Sequence, residues 1–233
     1  MELFPIAPIR MDMTPDSHHL QRRLLLSALA AVGLAAPWQG VLAASPRKIL
    51  VVGDSLSAEY GLARGTGWVA LLQKQLDADK AQAQIHNASI SGDTSAGGRA
   101  RLPALLQTHK PKLVVIELGA NDALRGLSLD KTLDNLDSMV HMARQTGAKV
   151  LLLGIQVPPN YGADYTRRLT QVYDKIAKER KVALVPFLLK GVGDAANARQ
   201  YFQADGIHPN ATAQPIIMRN VLPELKKVLA TVR

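Results

Sequence analysis

Five short apolar runs, separated by longer stretches with helical spacing, constrain the fold of this 233-residue chain more than any other feature. The third run reads Leu-Val-Val-Ile from Leu113 to Ile116 and has no polar alternation. Such runs are typical of strands that are covered on both faces, as in a parallel sheet between two helical layers. We therefore predict a three-layer α/β domain with one five-stranded parallel sheet. The predicted strands are 48–52, 84–88, 113–118, 150–155 and 183–187.

The predicted helices lie between and after these strands. They cover 68–76, the region of Leu102 to Leu106, a segment with Ser128 as its N-cap and Gly147 as its stop, 164–180 and 211–229. Pro223 lies inside the last segment and predicts a kink or a restart, because proline removes a helical hydrogen bond. The chain has no internal repeat and no long linker, which favours a single domain.

The N-terminal stretch has the pattern of a signal peptide. Arg22 and Arg23 precede thirteen apolar or small residues, and Val41 and Ala43 fit the small-residue rule for cleavage. The apolar run is too short for a permanent membrane span. We predict a signal peptide over 1–43, a mature domain over 44–233, and a periplasmic or secreted location. The paired arginines also resemble a twin-arginine signal, so both that route and the Sec route stay open.

Charge and composition exclude several classes of protein. The formal net charge is +9, but the basic residues are scattered and form no stripe with interleaved aromatic residues, so we expect no nucleic-acid partner. The chain has no cysteine, which excludes disulfides and thiolate metal sites. His86, His109 and His141 have no carboxylate at metal-ligand spacing. We therefore expect no metal, no cofactor, no stable membrane span in the mature chain, and a monomer.

Four polar islands follow the predicted strands or precede the last predicted helix. In a parallel sheet, ligands bind beyond the carboxyl ends of the strands, so loops that are distant in sequence converge on one edge. We therefore expect the islands to form one site. They are Gly53-Asp54-Ser55-Leu56, Ser91-Gly92-Asp93, Gly119-Ala120-Asn121-Asp122 and Asp205-Gly206-Ile207-His208.

These islands contain the residue types of a serine nucleophile and its base. A serine hydroxyl needs a base to accept its proton, and the base needs a third group to orient it. We predict Ser55 as the nucleophile, His208 as the base and Asp205 as the orienting carboxylate. Gly206 would permit the tight turn that brings Asp205 back to the imidazole, and Pro209 would start the final helix.

A developing oxyanion needs preorganised donors, and three are available in the same islands. They are the backbone N–H of Ser55, the backbone N–H of Gly92 and the side-chain amide of Asn121. Asp54 and Asp93 are interpreted as turn residues, and Asp122 as an organiser of its neighbours. The set predicts a hydrolase that cleaves acyl esters or thioesters through an acyl-enzyme on Ser55.

The four blocks resemble those of the SGNH/GDSL hydrolase family, and within it the bacterial thioesterase I, lysophospholipase and arylesterase proteins. The similarity extends to Arg101-Leu-Pro-Ala-Leu-Leu and to Pro159-Asn160-Tyr161-Gly162. It implies a flavodoxin-like fold, and it implies that Ser55, Gly92, Asn121 and His208 are the residues that name the family. It further implies that Asp205 completes a catalytic triad.

The resemblance also implies a substrate-binding loop and exposes two departures. A mobile loop would line the acyl site and face the segment around Val157. Glu59 stands where relatives commonly have glycine, and Val157 stands where close relatives have a larger leucine. The loop residues are Ala123, Leu124, Arg125, Gly126 and Leu127.

Two other functions remain open at this point. One is a carbohydrate O-deacetylase, which the same site could serve, although the chain has few aromatic residues for a sugar groove: five Tyr, three Phe and two Trp. The other is a non-catalytic binding module whose glycine loops hold a phosphate or flavin. An exported enzyme would meet lysophospholipids or environmental esters rather than cytosolic acyl-CoA.

Overall fold

The computed structural model describes residues 45–157 and 161–232, and its centre is a five-stranded parallel sheet. The strand order is β2-β1-β3-β4-β5, with every neighbouring pair parallel. The predicted fold class and all five predicted strands are therefore confirmed. The strands are β1 (Arg47–Gly53), β2 (Ala83–Asn87), β3 (Leu113–Glu117), β4 (Lys149–Leu153) and β5 (Ala183–Val185).

The three central strands form the core because both of their faces are covered. All five residues of β3 are buried, and in β4 only Lys149 is exposed. Val51 pairs with Val115, and Val115 pairs with Leu151, so β-branched and leucine side chains lie side by side across the sheet. Burial of such side chains provides the main favourable term in folding.

The helices cover the two faces of this sheet. On one face α2, α4 and α5 pack side by side. Helices α1 and α6 form a second group, in which they contact each other. Ser128 caps α4 through the Lys131 N–H, and Gly147 follows its end with a positive φ of 82°, as predicted. The helices are α1 (Trp68–Ala78), α2 (Ser95–His109), α3 (Ala120–Leu124), α4 (Leu129–Gln145), α5 (Ala163–Arg180) and α6 (Gln214–Ala230), and a 3₁₀ turn spans Ala198–Tyr201.

The last helix does not begin where it was predicted to begin, and one of the two outcomes predicted for Pro223, a restart, does not occur. Pro209 does not start it: α6 begins at Gln214, because Asn210 accepts hydrogen bonds from the Thr212 N–H and hydroxyl and holds the intervening residues in a turn. Pro223 does not cause a restart either. The helix continues through it from Gln214 to Ala230, so this helix tolerates the one hydrogen bond that proline removes.

Some predictions lie outside the described residues. The proposed signal segment 1–43 is one of them, and the Pro159-Asn160 part of the family similarity is another. Within 45–157 and 161–232, no helix combines the length and the apolar character that crossing a bilayer requires.

Candidate active site

Ser55 lies in the turn that leaves the carboxyl end of β1. The Asp54 carbonyl accepts from the Ser57 and Ala58 N–H groups, and the Asp54 carboxylate accepts from the Leu56 N–H. Gly53 is required just before this turn, since a Cβ there would lie 2.7 Å from Glu117 Oε2. The hydrogen bonds to Asp54 hold the turn, which presents the half-buried Ser55 at the edge of the sheet.

His208 connects Ser55 with Asp205. Its Nε2 lies 2.9 Å from Ser55 Oγ, and its Nδ1 lies 2.7 Å from Asp205 Oδ2. Gly206 has a φ of 67°, the left-handed conformation that lets the chain turn back between the two residues. The structure therefore brings together the three residues that the sequence analysis selected for a triad.

The surroundings of Asp205 keep its carboxylate ionised. Hydrogen bonds from the backbone N–H and imidazole of His208, and then from the backbone N–H of Ile207, lower the pKa of Asp205 to about 2. An ionised carboxylate can only accept a hydrogen bond, so the proton between the two side chains belongs to His208 Nδ1. In the neutral imidazole, Nε2 is then the free acceptor, and it faces the Ser55 hydroxyl.

Tyr60 lies against the imidazole, which the sequence analysis missed. Its ring centroid is 4.3 Å from that of His208, with the two planes tilted by 38°. The Tyr60 carbonyl accepts from Gln203 Nε2, so the loop after β1 is tied to the loop that carries His208. No local sequence pattern marks Tyr60, because the contact joins residues far apart in the chain.

The Asn121 side chain lies close to the other two predicted oxyanion donors. Its Nδ2 donates to Asp54 Oδ2 at 3.1 Å and to the Asp93 carbonyl at 3.0 Å. These two acceptors belong to the residues that adjoin Ser55 and Gly92. The amide therefore lies between the turns that carry the two backbone donors.

Gly92 adopts a conformation that favours glycine, with a φ of 80°. Its carbonyl accepts from Arg125 Nη2 at 2.8 Å. Arg125 belongs to the segment predicted to line the acyl site, so the loops after β2 and β3 contact each other beside the site.

The segment predicted as a mobile loop is only partly a loop. Ala123 and Leu124 belong to the short helix α3, and Ala123 is buried. The Ala123 carbonyl accepts from the Tyr165 hydroxyl at 3.3 Å, and the Leu127 N–H donates to the Asp122 carbonyl. Only Arg125, Gly126 and Leu127 follow the helix as an exposed turn.

The Asp122 side chain connects α3 to two neighbouring helices. Its carboxylate accepts from the Ser95 N–H and hydroxyl, at 2.8 and 2.5 Å, and from the Thr132 hydroxyl at 3.2 Å. It thereby ties α3 to the beginnings of α2 and α4. This is the organising role that the sequence analysis expected.

The structure explains why a relative would have glycine where this chain has Glu59. Glu59 has a φ of 59°, a left-handed conformation that costs a non-glycine residue on the order of 1 kcal/mol. Its carboxylate accepts from the Gly65 N–H at 3.0 Å and the Gly67 N–H at 2.8 Å. These hydrogen bonds offset the strain and close the loop that follows Ser55.

The exposed large apolar side chains gather at this same edge of the sheet. Among the described residues there is one in each of the five connections that follow the strands, and each is between 38% and 53% exposed. Tyr60 and Ile207 also border His208 directly. The five residues are Tyr60, Ile90, Leu127, Tyr161 and Ile207.

The other histidines in the described part of the chain do not form a metal centre. His86 and His109 stack on each other with centroids 3.6 Å apart. In 45–157 and 161–232, no group of three histidine or acidic side chains has the geometry to hold a metal ion.

Comparison with known proteins gives the family. The profile of the GDSL-like lipase/acylhydrolase family matches residues 51–214. Esterase TesA of Pseudomonas aeruginosa is 53% identical over 89% of this chain and 100% of its own length. Thioesterase 1/protease 1/lysophospholipase L1 of Escherichia coli K12 is 43% identical over 75% of this chain and 81% of its own length.

A solved structure is also similar. The psychrotrophic esterase EstA from Pseudoalteromonas, in a form inhibited by monoethylphosphonate, is 40% identical and has a TM-score of 0.74. The match covers 79% of this chain and 99% of that one. The chain therefore belongs to the GDSL-like lipase/acylhydrolase (SGNH hydrolase) family, and it is an ester or thioester hydrolase.

Proposed function

We propose that Ser55, His208 and Asp205 act as a catalytic triad that hydrolyses acyl esters through an acyl-enzyme on Ser55. The observation that carries this proposal is the pair of contacts on the two nitrogens of His208, 2.9 Å to Ser55 Oγ and 2.7 Å to Asp205 Oδ2. The arrangement meets the geometric requirements for a nucleophile, its base and an orienting group.

In the first step, the Ser55 hydroxyl gives its proton to His208 Nε2 as Oγ forms a bond with the carbonyl carbon of the substrate. The imidazolium that results is stabilised by the ionised Asp205, and it then protonates the leaving alcohol or thiol. Water, activated by the same imidazole, hydrolyses the acyl-enzyme. No cofactor takes part in these proposed steps.

The negative charge on the carbonyl oxygen would be stabilised by the backbone N–H groups of Ser55 and Gly92 and by the Asn121 amide. Asn121 Nδ2 makes two contacts in the resting structure, so the oxyanion would replace the Asp93 carbonyl as one acceptor. Loss of one such donor typically lowers kcat on the order of a hundredfold to a thousandfold.

A fluorophosphonate probe tests the nucleophile directly. We expect labelling of the wild type and of Ser91→Ala, a control that removes a different serine, an exposed one beside Gly92. Ser55→Ala should not be labelled. Labelling that persists in Ser55→Ala, or that disappears in Ser91→Ala, would contradict the assignment.

We further propose esters with an apolar acyl chain, including lysophospholipids, as the preferred substrates. The exposed apolar side chains, one in each connection at the active-site edge, support this class. They suit an alkyl chain better than a carbohydrate, and only two of the five are aromatic. The acyl chain would run beside Val157 and the segment Ala123, Leu124, Arg125, Gly126 and Leu127.

A substrate panel separates this class from the carbohydrate O-deacetylase alternative. The panel contains p-nitrophenyl esters of increasing chain length, a lysophospholipid, an acyl-CoA and acetylated xylan. We expect kcat/KM to rise with acyl length and the lysophospholipid to be cleaved. Preference for acetylated xylan over every acyl ester would favour deacetylation instead.

We propose that residues 1–43 are a cleaved signal peptide and that 44–233 form the exported, monomeric enzyme. The basic pair, the apolar run and the small residues before Ala44 support this proposal. N-terminal sequencing of the protein from a bacterial periplasm should begin at residue 44 or 45. Replacing Arg22 and Arg23 by lysine would block export only if the twin-arginine route is used. Light scattering should give the mass of a monomer.

A further inference from the structure

Two carboxyl groups lie buried directly beneath Ser55. Asp54 and Glu117 are both 0% exposed, and Glu117 Oε2 accepts from the Ser57 hydroxyl at 2.7 Å and from the Asp54 N–H at 3.3 Å. Neither side chain belongs to the proposed triad or is one of the three oxyanion donors. Two buried carboxyl groups that lie this close together need compensating hydrogen bonds, because burial of an unpaired charge costs free energy.

The hydrogen bonds indicate which of the two holds a proton. Glu117 Oε1 has no hydrogen-bond partner, although it is buried, whereas both oxygens of Asp54 accept, from the Leu56 N–H and the Asn121 amide. Burial raises the pKa of Glu117 well above its usual range, and burial raises the pKa of Asp54 to about 6. At neutral pH the negative charge therefore resides on Asp54, and Glu117 is neutral.

The charged oxygen of Asp54 holds the Asn121 side chain. Asn121 lies in the five-residue helix α3, and its amide is oriented by two acceptors, Asp54 Oδ2 and the Asp93 carbonyl. A hydrogen bond to a charged acceptor is stronger than one to a neutral carbonyl. Asp54 therefore remains attached while the Asp93 carbonyl can be exchanged.

We propose that Asp54 is a positioning residue for ester hydrolysis: its carboxylate holds one N–H of Asn121 so that the other N–H points to the oxyanion, and neutral Glu117 leaves the charge on Asp54. This inference rests on the proposed function. Protonation of Asp54 would release Asn121 and remove one oxyanion donor, so two groups must be deprotonated for full activity, Asp54 and His208.

Five groups approach Asp54 from the elements around it. Glu117 at the end of β3 is neutral, and the charge of Asp54 contributes to raising the pKa of Glu117. Asp93 favours the neutral form of Asp54, whereas Asn121 and His208 favour its charged form. Tyr173 on α5 is buried nearby, and the charge of Asp54 contributes to raising its pKa. The group thus titrates within a cluster, and its protonation depends on all of these neighbours.

The acid limb of log kcat/KM against pH tests the inference on a soluble p-nitrophenyl ester. In the wild type the slope should approach two at the acid end of the limb, because the active form requires both the Asp54 carboxylate and a neutral imidazole base. In Asp54→Asn it should fall to one, and the steep limb should persist in Asp93→Asn, a matched control whose backbone carbonyl still reaches Asn121. A slope of one in the wild type would overturn the proposal.

Two further variants decide the assignment of charge. Glu117→Gln should keep the steep limb, and Asn121→Ala should lose it, because Asp54 acts through Asn121. The reverse pattern would place the charge on Glu117 and overturn the proposal. These two variants also decide the question if Asp54→Asn does not fold.

A double-mutant cycle measures the coupling at pH 8. Asp54→Asn should lower kcat by on the order of tenfold to a hundredfold with little change in KM, and Asp54→Asn with Asn121→Ala should be no slower than Asn121→Ala alone. Losses that multiply would show that Asp54 acts independently of Asn121. A wild-type enzyme with no esterase activity would instead refute the proposed function itself.

Discussion

Ser55 and His208 are 153 positions apart in the chain, yet His208 Nε2 lies 2.9 Å from Ser55 Oγ, so the proposed triad depends on the fold of the whole domain. Because the three side chains would act in one proton transfer, we expect Ser55→Ala and His208→Ala each to abolish most esterase activity. The double variant should be little worse than either single one. The measurement is kcat/KM on p-nitrophenyl acetate, and additive losses would contradict the triad.

The Asp205 carboxylate leads to a second prediction at this scale. Asp205→Asn should retain the fold and lower kcat strongly, since the imidazole loses its orienting acceptor and the imidazolium loses its counter-charge. The pKa of Asp205 is lowered to about 2. The contribution of this carboxylate to the stability of the folded protein is therefore present above pH 4 and is lost as pH falls toward 2, the range in which the carboxylate takes up a proton. Acid loss of activity above pH 4 must then come from other groups. A wild-type kcat in Asp205→Asn would show that another carboxylate orients His208.

Val157 is buried close to the end of β4, and we expect it to form part of the wall of the acyl site. Burial of each CH₂ group contributes about 0.8 kcal/mol, roughly fourfold in kcat/KM when the gain reaches the transition state. Val157→Leu and Val157→Phe should therefore change the preferred acyl length and leave acetyl ester hydrolysis nearly unchanged. The ratio of kcat/KM for long and short p-nitrophenyl esters measures this. An unchanged ratio would show that Val157 does not line the acyl site.

At the scale of elements, α2 approaches the sheet closely because of one glycine. A Cβ built at Gly98 would overlap Leu118 Cδ1 and lie 3.3 Å from Met139 Cε. Gly98→Val should lower the free energy of unfolding by about 1–3 kcal/mol through overpacking. Ala100→Val, at an exposed position of the same helix, should cost less than about 1 kcal/mol. Urea denaturation of both variants measures the difference, and equal losses would show that the close approach is not a constraint.

At the scale of the whole molecule, the buried Glu117 makes stability depend on pH. Its pKa is raised in the folded state, so the native protein binds a proton that the unfolded chain has released. The contribution of Glu117 to stability is therefore fully present below about pH 4.5 and is lost as pH rises toward the folded pKa, by about 1.4 kcal/mol for each pKa unit. Glu117→Gln should show a smaller fall in Tm between pH 5 and 8 than the wild type. Parallel Tm curves would show that Glu117 does not titrate differently in the two states.

The sequence alone determined the elements and the edge at which the site lies. Continuous apolar runs such as Leu113 to Ile116 and helical spacing are local patterns, so they predicted all five strands and every long helix, but not the short helix α3. The islands at the strand ends predicted which residues would meet, because parallel strands bring their carboxyl ends together. Glycines with a positive φ, such as Gly206, also gave a local signal.

Only the tertiary structure decided how the remaining side chains meet. The burial of Asp54 and Glu117, the contact of Tyr60 with His208 and the two acceptors of Asn121 join segments that are far apart in the chain. The sequence contains one sign of the buried carboxyl pair: the acidic residue Glu117 ends an otherwise apolar run. The start of α6 at Gln214 likewise depended on a turn and on packing rather than on Pro209. Such contacts depend on strand register and loop closure, which no local pattern encodes.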